Sequence, residues 1–107
     1  MTAVPEPLIR SIVDVYAPRR ILLFGSHARG DAGPDSDLDL VAVLDDDVGP
    51  EALHRRRCHE ARKGYTGSVD IIPCREGVLR ERARAIGSFA HTIMREGVVV
   101  YERPRRS

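Results

Sequence analysis

The chain has 107 residues, 42% hydrophobic and 31% charged, with a formal net charge of +1 from 17 basic and 16 acidic side chains. That is the length of one small domain with a real but shallow core, and the mixture describes a globular chain, not a disordered one. A generic nucleic-acid binder would carry a large basic excess, no apolar run nears the ~18 residues of a membrane span, and the start, Met1–Glu6, lacks the basic and apolar regions of a signal peptide.

In chain order, Leu8, Ile9, Ile12, Val13 and Tyr16 recur at helical spacing and predict an amphipathic helix over about 6–17, ended by Pro18. Ile21-Leu22-Leu23-Phe24, stopped by Gly25, reads as a buried strand, after which Ser26 caps a short helix through Ala28 and Arg29. Gly30, Gly33 and Pro34 break the chain before a second strand near Leu38–Leu44. A polar loop, Asp45-Asp46-Asp47 to Pro50, leads into a helix over Glu51–Lys63 that has only Ala52, Leu53, Cys58 and Ala61 to bury. Val69–Pro73 is a third strand. Two helices follow, Glu76–Ile86 and Ser88–Glu96, broken at Gly87, with Phe89, Ile93 and Met94 facing inward. Gly97 ends the last helix, Val98–Tyr101 makes a final strand at the sheet's edge or between chains, and residues 103–107 form a frayed tail. This alternation predicts an α/β domain with one sheet, spanning 1–107 as a single unit.

The informative segment is Gly25-Ser26-His27-Ala28-Arg29-Gly30, followed by Asp35-Ser36-Asp37-Leu38-Asp39-Leu40. Asp37 and Asp39, two apart at the start of a strand, project from one face and leave Leu38 and Leu40 for the other. Neighbouring carboxylates raise each other's pKa and destabilise the chain unless a cation lies between them. Mg²⁺, which takes one or two carboxylates plus phosphate oxygens, suits that position. Gly25 lets backbone approach closely, and Ser26 opens a helix whose free N–H groups favour an anion, so a phosphate seat adjoins the aspartates. Asp70 interrupts an apolar strand, where a lone carboxylate is excluded unless it is paired or binds metal. With strand three beside strand two, Asp37, Asp39 and Asp70 complete a two-metal site of the kind that serves phosphoryl or nucleotidyl transfer.

Plainer readings stand beside these. Asp35–Asp39 could be a solvated turn, Asp70 a core acid paired with an arginine, and His27 an exposed residue without a role. His54, Cys58 and His59 invite a zinc reading but lack a second ligand pair. Arg55-Arg56-Arg57 with Arg62 and Lys63 is a solvated face with room for a protein or RNA contact. Asp45–Asp47 restrains neighbouring arginines. Cys58 and Cys74 are structural thiols, which fits a cytoplasmic chain. Of the 17 basic residues all but Lys63 are arginine, a bias that suits bidentate phosphate contacts and that genomic base composition also produces.

Gly25-Ser26, ten intervening residues, then Asp37-Leu38-Asp39 resembles the Gly-Ser…Asp-x-Asp signature of the nucleotidyltransferase superfamily related to DNA polymerase β. The form Gly-Ser-x-Ala-Arg-Gly, with a later lone Asp on a strand, resembles the minimal nucleotidyltransferases (MNT). These are small prokaryotic proteins, many of them antitoxins beside a helical HEPN-domain ribonuclease toxin. The resemblance covers about residues 8–101, the closing Ile93–Gly97 and Val100–Glu102 included. It implies a polymerase β-like fold, a single mixed sheet flanked by helices. It further implies that Gly25 and Ser26 hold the β- and γ-phosphates of a nucleoside triphosphate, and that Asp37 and Asp39 ligate two Mg²⁺ ions. By the same resemblance, Asp70 binds the metal nearest the incoming hydroxyl and helps take its proton. Arg29 is an electrostatic partner for phosphate, or else pairs with Asp31 or Asp35. The implied activity is transfer of AMP from ATP to a hydroxyl, a tyrosine, of a HEPN toxin. Two further readings are a binding module that neutralises its partner by contact alone and an aminoglycoside-type nucleotidyltransferase, for which the chain lacks the extra helical region. The short chain leaves acceptor recognition to a protein partner's own docking surface.

Overall fold

The computed structural model describes residues 4–30, 33 and 37–104, with the backbone alone at Ser26. Leu8, Ile12 and Tyr16 form the buried stripe of helix α1 (Glu6–Tyr16), which closes with Ala17 in the left-handed region, φ 47°, before Pro18. Strand β1 (Arg20–Phe24) leads through Gly25 into a one-turn helix, α2 (Ser26–Arg29), and β2 spans Leu38–Leu44. The connection onward holds a 3-10 turn, Pro50–Leu53, and helix α3 (Arg55–Ala61). Strand β3 (Val69–Arg75), helices α4 (Glu76–Ala83) and α5 (Phe89–Glu96), and strand β4 (Val98–Glu102) complete the chain.

The four strands lie in the order β3-β2-β1-β4. Strand β1 runs antiparallel to both β2 and β4, while β2 and β3 are parallel. This is the mixed sheet that the family resemblance implied. Parallel pairing requires a crossover, and the 3-10 turn with α3 supplies it. Strand β2 is apolar in both registers because helices cover both faces: Leu38, Leu40, Ala42 and Leu44 pack with α1 and Ala61 of α3, whereas Val41 and Val43 pack with Leu79 of α4 and Ala90 and Ile93 of α5. Tyr16, Cys58 and the carbonyl of Ile71 join α1, α3 and β3 in a chain of contacts, 3.1 Å from Oη to Sγ and 3.2 Å from Sγ to the carbonyl. Cys58 is therefore engaged in packing, and burial pushes the Tyr16 hydroxyl well up.

Four expectations need correction. The helix over Glu51–Lys63 is divided at His54, whose extended backbone caps α3 as its Nδ1 accepts from the Arg56 N–H, 3.1 Å away. A capping ring competes here with helix continuation, and it also takes His54 out of any zinc set. Helix α4 stops at Ala83, short of Ile86, which is 90% exposed. Phe89 and Met94 are 58% and 45% exposed instead of facing inward; Ala90 and Ile93 hold the buried stripe, and Phe89 meets Phe24 edge-on with ring centroids 5.4 Å apart. Arg103, expected in a loose tail, donates its backbone N–H to the Arg19 carbonyl at 2.8 Å and pairs with Asp45 at 3.0 Å. Residues 105–107 lie outside the described residues. Strand β4 forms an edge of the sheet, bulged against β1 between Ile21 and Leu22.

Where β1 begins and β3 ends, Glu76 is buried against Arg20 at 2.5 Å, Arg19 at 3.0 Å and Arg80 at 3.4 Å. Burial alone would raise its carboxyl, but Arg20, with Arg19 and Arg80, holds it below the ordinary value of 4.5. Replacing Glu76 leaves a half-buried Arg20 without its anion. Glu76→Ala is expected to cost about 2 kcal/mol at neutral pH, less than a fully buried pair because Arg19 and Arg80 reach solvent. Since the folded pKa is depressed, this stabilisation is complete above the unfolded value and is lost as pH falls through the folded one. Urea titrations of wild type and variant at pH 7 should therefore differ, and the gap should shrink towards pH 3.

Candidate functional site

Strand pairing brings the sequence-derived residues to one end of the sheet. Phe24, the last residue of β1, lies opposite Asp39 on β2, and Asp39 lies beside Asp70 on β3. Because direct partners in a sheet share a face, Asp39 and Asp70 both project towards the α4/α5 side, the side of Val41 and Ile72. Asp37 sits two residues earlier, exposed at the mouth of β2. Gly25 turns the chain at φ 78°, and its carbonyl accepts the Arg29 N–H at 3.1 Å, closing the turn of α2 that Ser26 begins. A Cβ on Gly25 would lie 2.7 Å from Oδ2 of Asp39. A larger residue would strain that turn and displace that carboxylate.

Electrostatics tie the three acids together. The Asp39 carboxyl is raised above its ordinary value first by burial, then by the charges of Asp70 and Asp37, with His27 partly offsetting them. His27, read from the sequence as an exposed residue without a role, is half-buried on α2 and belongs to this field. Its signal was available in the helix register after Ser26, but not its distance to β2. Asp70 differs from expectation as well. It is exposed at the opening of an edge strand, so burial does not demand a partner for it, and among the described residues it makes no ion pair with an arginine. Arg29 is exposed on α2 and has interactions of its own, while Asp31, Asp35 and Ser36 lie outside the described residues.

On the β3 side of the acids opens a polar cleft of about 430 Å³, lined by Asp37 and Asp70 with Arg62, Tyr65 and Ser68. In the sequence Arg62 belongs to a charged run, and nothing local to that run marks its approach to Asp70. A larger hollow, about 1100 Å³, lies at the Glu76 end of the sheet among arginines already matched to Glu76 and Asp45. Its size does not make it the reactive site.

Three oxygen-donor acids that repel one another are a donor set for a hard divalent cation. Among the described residues, no three His, Cys, Asp or Glu side chains converge into a ready-made cage. Mg²⁺ does not require one, since it binds through one or two carboxylates together with substrate phosphates. The residues present therefore fit such an ion by charge and donor chemistry. The described helices include none long and apolar enough to cross a membrane.

Residues 8–94 match the family described as the nucleotidyltransferase domain, and the chain belongs to that family. Its fold is shared with solved structures of low sequence identity. One, a toxin–antitoxin with AMP-PNP, is 19% identical with a TM-score of 0.60 over 94% of this chain and 75% of its own. Another, a toxin–antitoxin called MntA-HpeT bearing two Asp-to-Glu substitutions, is 16% identical with a TM-score of 0.57, again over 94% and 75%. A third protein, from Sulfolobus solfataricus and assigned by name to the nucleotidyltransferases, is 19% identical with a TM-score of 0.53 over 96% and 94%. No curated protein matches at a significant level.

Two substitutions test this geometry. Gly25→Ala should strain the left-handed turn by about 1 kcal/mol and push the Asp39 carboxylate aside. Asp39→Asn should instead raise Tm without divalent cation at pH 7, by about 2–6 °C, because it removes a repelled, half-buried charge. Thermal melts of both variants beside wild type check the opposite signs.

Proposed function

We propose that this protein is a Mg²⁺-dependent nucleotidyltransferase that acts as the antitoxin of a HEPN/MNT pair, moving AMP from ATP to a tyrosine hydroxyl of its cognate HEPN ribonuclease toxin. The observation that carries the reading is the placement of Asp39 beside Asp70 in one strand register, with Asp39 against the Gly25 turn. Family membership supports nucleotidyl transfer as the reaction class. The antitoxin role and the adenine nucleotide are carried over from the MNT resemblance and from same-fold neighbours, one a toxin–antitoxin solved with AMP-PNP.

In this reading the Gly25-Ser26 turn receives the β- and γ-phosphates on the β1 side, and Arg29 adds positive charge there. Asp37, Asp39 and Asp70 hold the Mg²⁺ ions. When bound, those ions neutralise charge on the triphosphate and stabilise the attacking and leaving oxygens. The acceptor oxygen forms a bond to Pα as the bond from Pα to the bridging oxygen breaks, and pyrophosphate leaves with that electron pair. Asp70, exposed on the β3 side, takes the hydroxyl proton. Half-burial of Asp39 keeps water from screening its charge, which strengthens its hold on a cation.

The test is incubation of the purified protein with α-labelled ATP, Mg²⁺ and the product of the neighbouring gene. Label should appear on the partner, and Asp39→Ala or Asp70→Ala should lower the rate roughly 10²-fold or more. Absence of label, or equal labelling by wild type and Asp39→Ala, overturns the reading. Protection of cells by Asp39→Ala equal to wild type would establish neutralisation by contact.

A further inference from the structure

We propose that the basic ridge of α3, ending at Arg62, is the docking surface for the acceptor, and that the acceptor is a hydroxyl-bearing protein segment with acidic flanking side chains. The inference rests on the nucleotidyl-transfer reading and adds the side of approach and the chemistry of the substrate.

Direction comes from the strand order. The Gly25-Ser26 turn follows β1, Asp39 stands on β2 and Asp70 on β3, so the phosphate seat and the Arg62 cleft flank Asp39 on opposite sides, about 10 Å apart at two strand spacings. An in-line displacement needs the attacking oxygen opposite the departing pyrophosphate. With the triphosphate on the β1 side, the hydroxyl must arrive from the β3 side. The cleft lined by Arg62, Tyr65, Ser68, Asp37 and Asp70 opens there.

Charge gives the kind of partner. Arg57, Cys58 and Ala61 turn α3 inward, which leaves Arg55, Arg56, His59, Arg62 and Lys63 exposed along one ridge, with Glu60 the single acid of the helix. Among the described residues, the side chains of Arg55, Arg56, Arg62 and Lys63 make no ion pair, in contrast to the matched arginines around Glu76. Arg55, His59 and Arg62 are spaced i, i+4, i+7 and so line up towards the cleft. Three carboxylates at the reaction centre would repel an acidic segment arriving alone. The ridge reverses that field along the approach and favours a partner with carboxylates on either side of its hydroxyl. A nucleic-acid acceptor is disfavoured by the overall charge of only +1.

The experiment uses the full chain and three fluorescein-labelled probes: the peptides Glu-Asp-Tyr-Asp-Glu and Gln-Asn-Tyr-Asn-Gln, and a single-stranded RNA of the same charge as the acidic peptide. Fluorescence anisotropy measures each probe, and Mg·ATP affinity is titrated separately. Wild type should bind the acidic peptide about tenfold more tightly than the neutral one and above the RNA, as expected of electrostatic complementarity. Arg62→Gln should weaken that preference and Arg55→Gln/Arg62→Gln abolish it, with circular dichroism unchanged and no loss of Mg·ATP affinity, since removing a cation beside Asp37 and Asp70 does not weaken a carboxylate's attraction for a divalent ion. Equal binding of the two peptides, a preference surviving in the double variant, or tighter binding of the RNA overturns the proposal. So does loss of Mg·ATP affinity in Arg62→Gln, which would put the guanidinium on the phosphates. Failure of wild type to bind Mg·ATP removes the transfer reading and the acceptor role with it, an outcome distinguishable from loss of charge preference.

Discussion

The parallel register of β2 and β3 is the constraint on which the rest depends. It sets Asp39 beside Asp70 on one face of the sheet. A slip of one residue would send Asp70 to the α1/α3 face and bring Val69 to the position beside Asp39. The register is held by apolar demand on both faces of β2, since Leu40 and Val41 are each fully buried against different helices. A parallel pair also needs a crossover, and the crossover brings the end of α3, at Arg62, to the cleft beside Asp37 and Asp70. The spacing of Asp39 and Asp70, the core packing and the approach of Arg62 to the acids thus follow from one pairing.

The two ends of the sheet solve opposite electrostatic problems. At the Glu76 end, arginines and carboxylates satisfy one another within the chain, and the acid is held ionised despite burial. At the Asp39 end the acids face one another, and the nearest offset is His27. The first arrangement stabilises the fold; the second costs stability, which is the usual condition of a site prepared for a charged ligand. Glycine at position 25 is part of that condition, because the turn and the carboxylate occupy space that a methyl group would take.

Much of this was legible in the sequence because it is local. The limits of β2, the stripe of α1 and the Gly25-Ser26 turn follow from periodicity and breakers, and Asp70 announced itself by interrupting a valine- and isoleucine-rich run. What escaped depends on competition or on distance. His54 caps α3 with its ring, a choice that helical periodicity does not register. Phe89 and Met94 share the composition of core residues but flank the buried stripe of α5. Strand β4 lies beside β1, far from its neighbour in sequence, so no local pattern could place it. Arg62 reaches the cleft of Asp37 and Asp70 only because the crossover folds back along the sheet.

Arg103 has a practical corollary for anyone handling this protein. Its ties to Arg19 and Asp45 anchor the chain near the finishing end of β2, whereas Asp39 stands near the strand's start, about 20 Å away at 3.3 Å per residue. A fluorophore, affinity handle or surface tether attached after Pro104 would therefore begin its path at the pole remote from the acids. Immobilisation through that point would present the carboxylate end of the sheet to the solution.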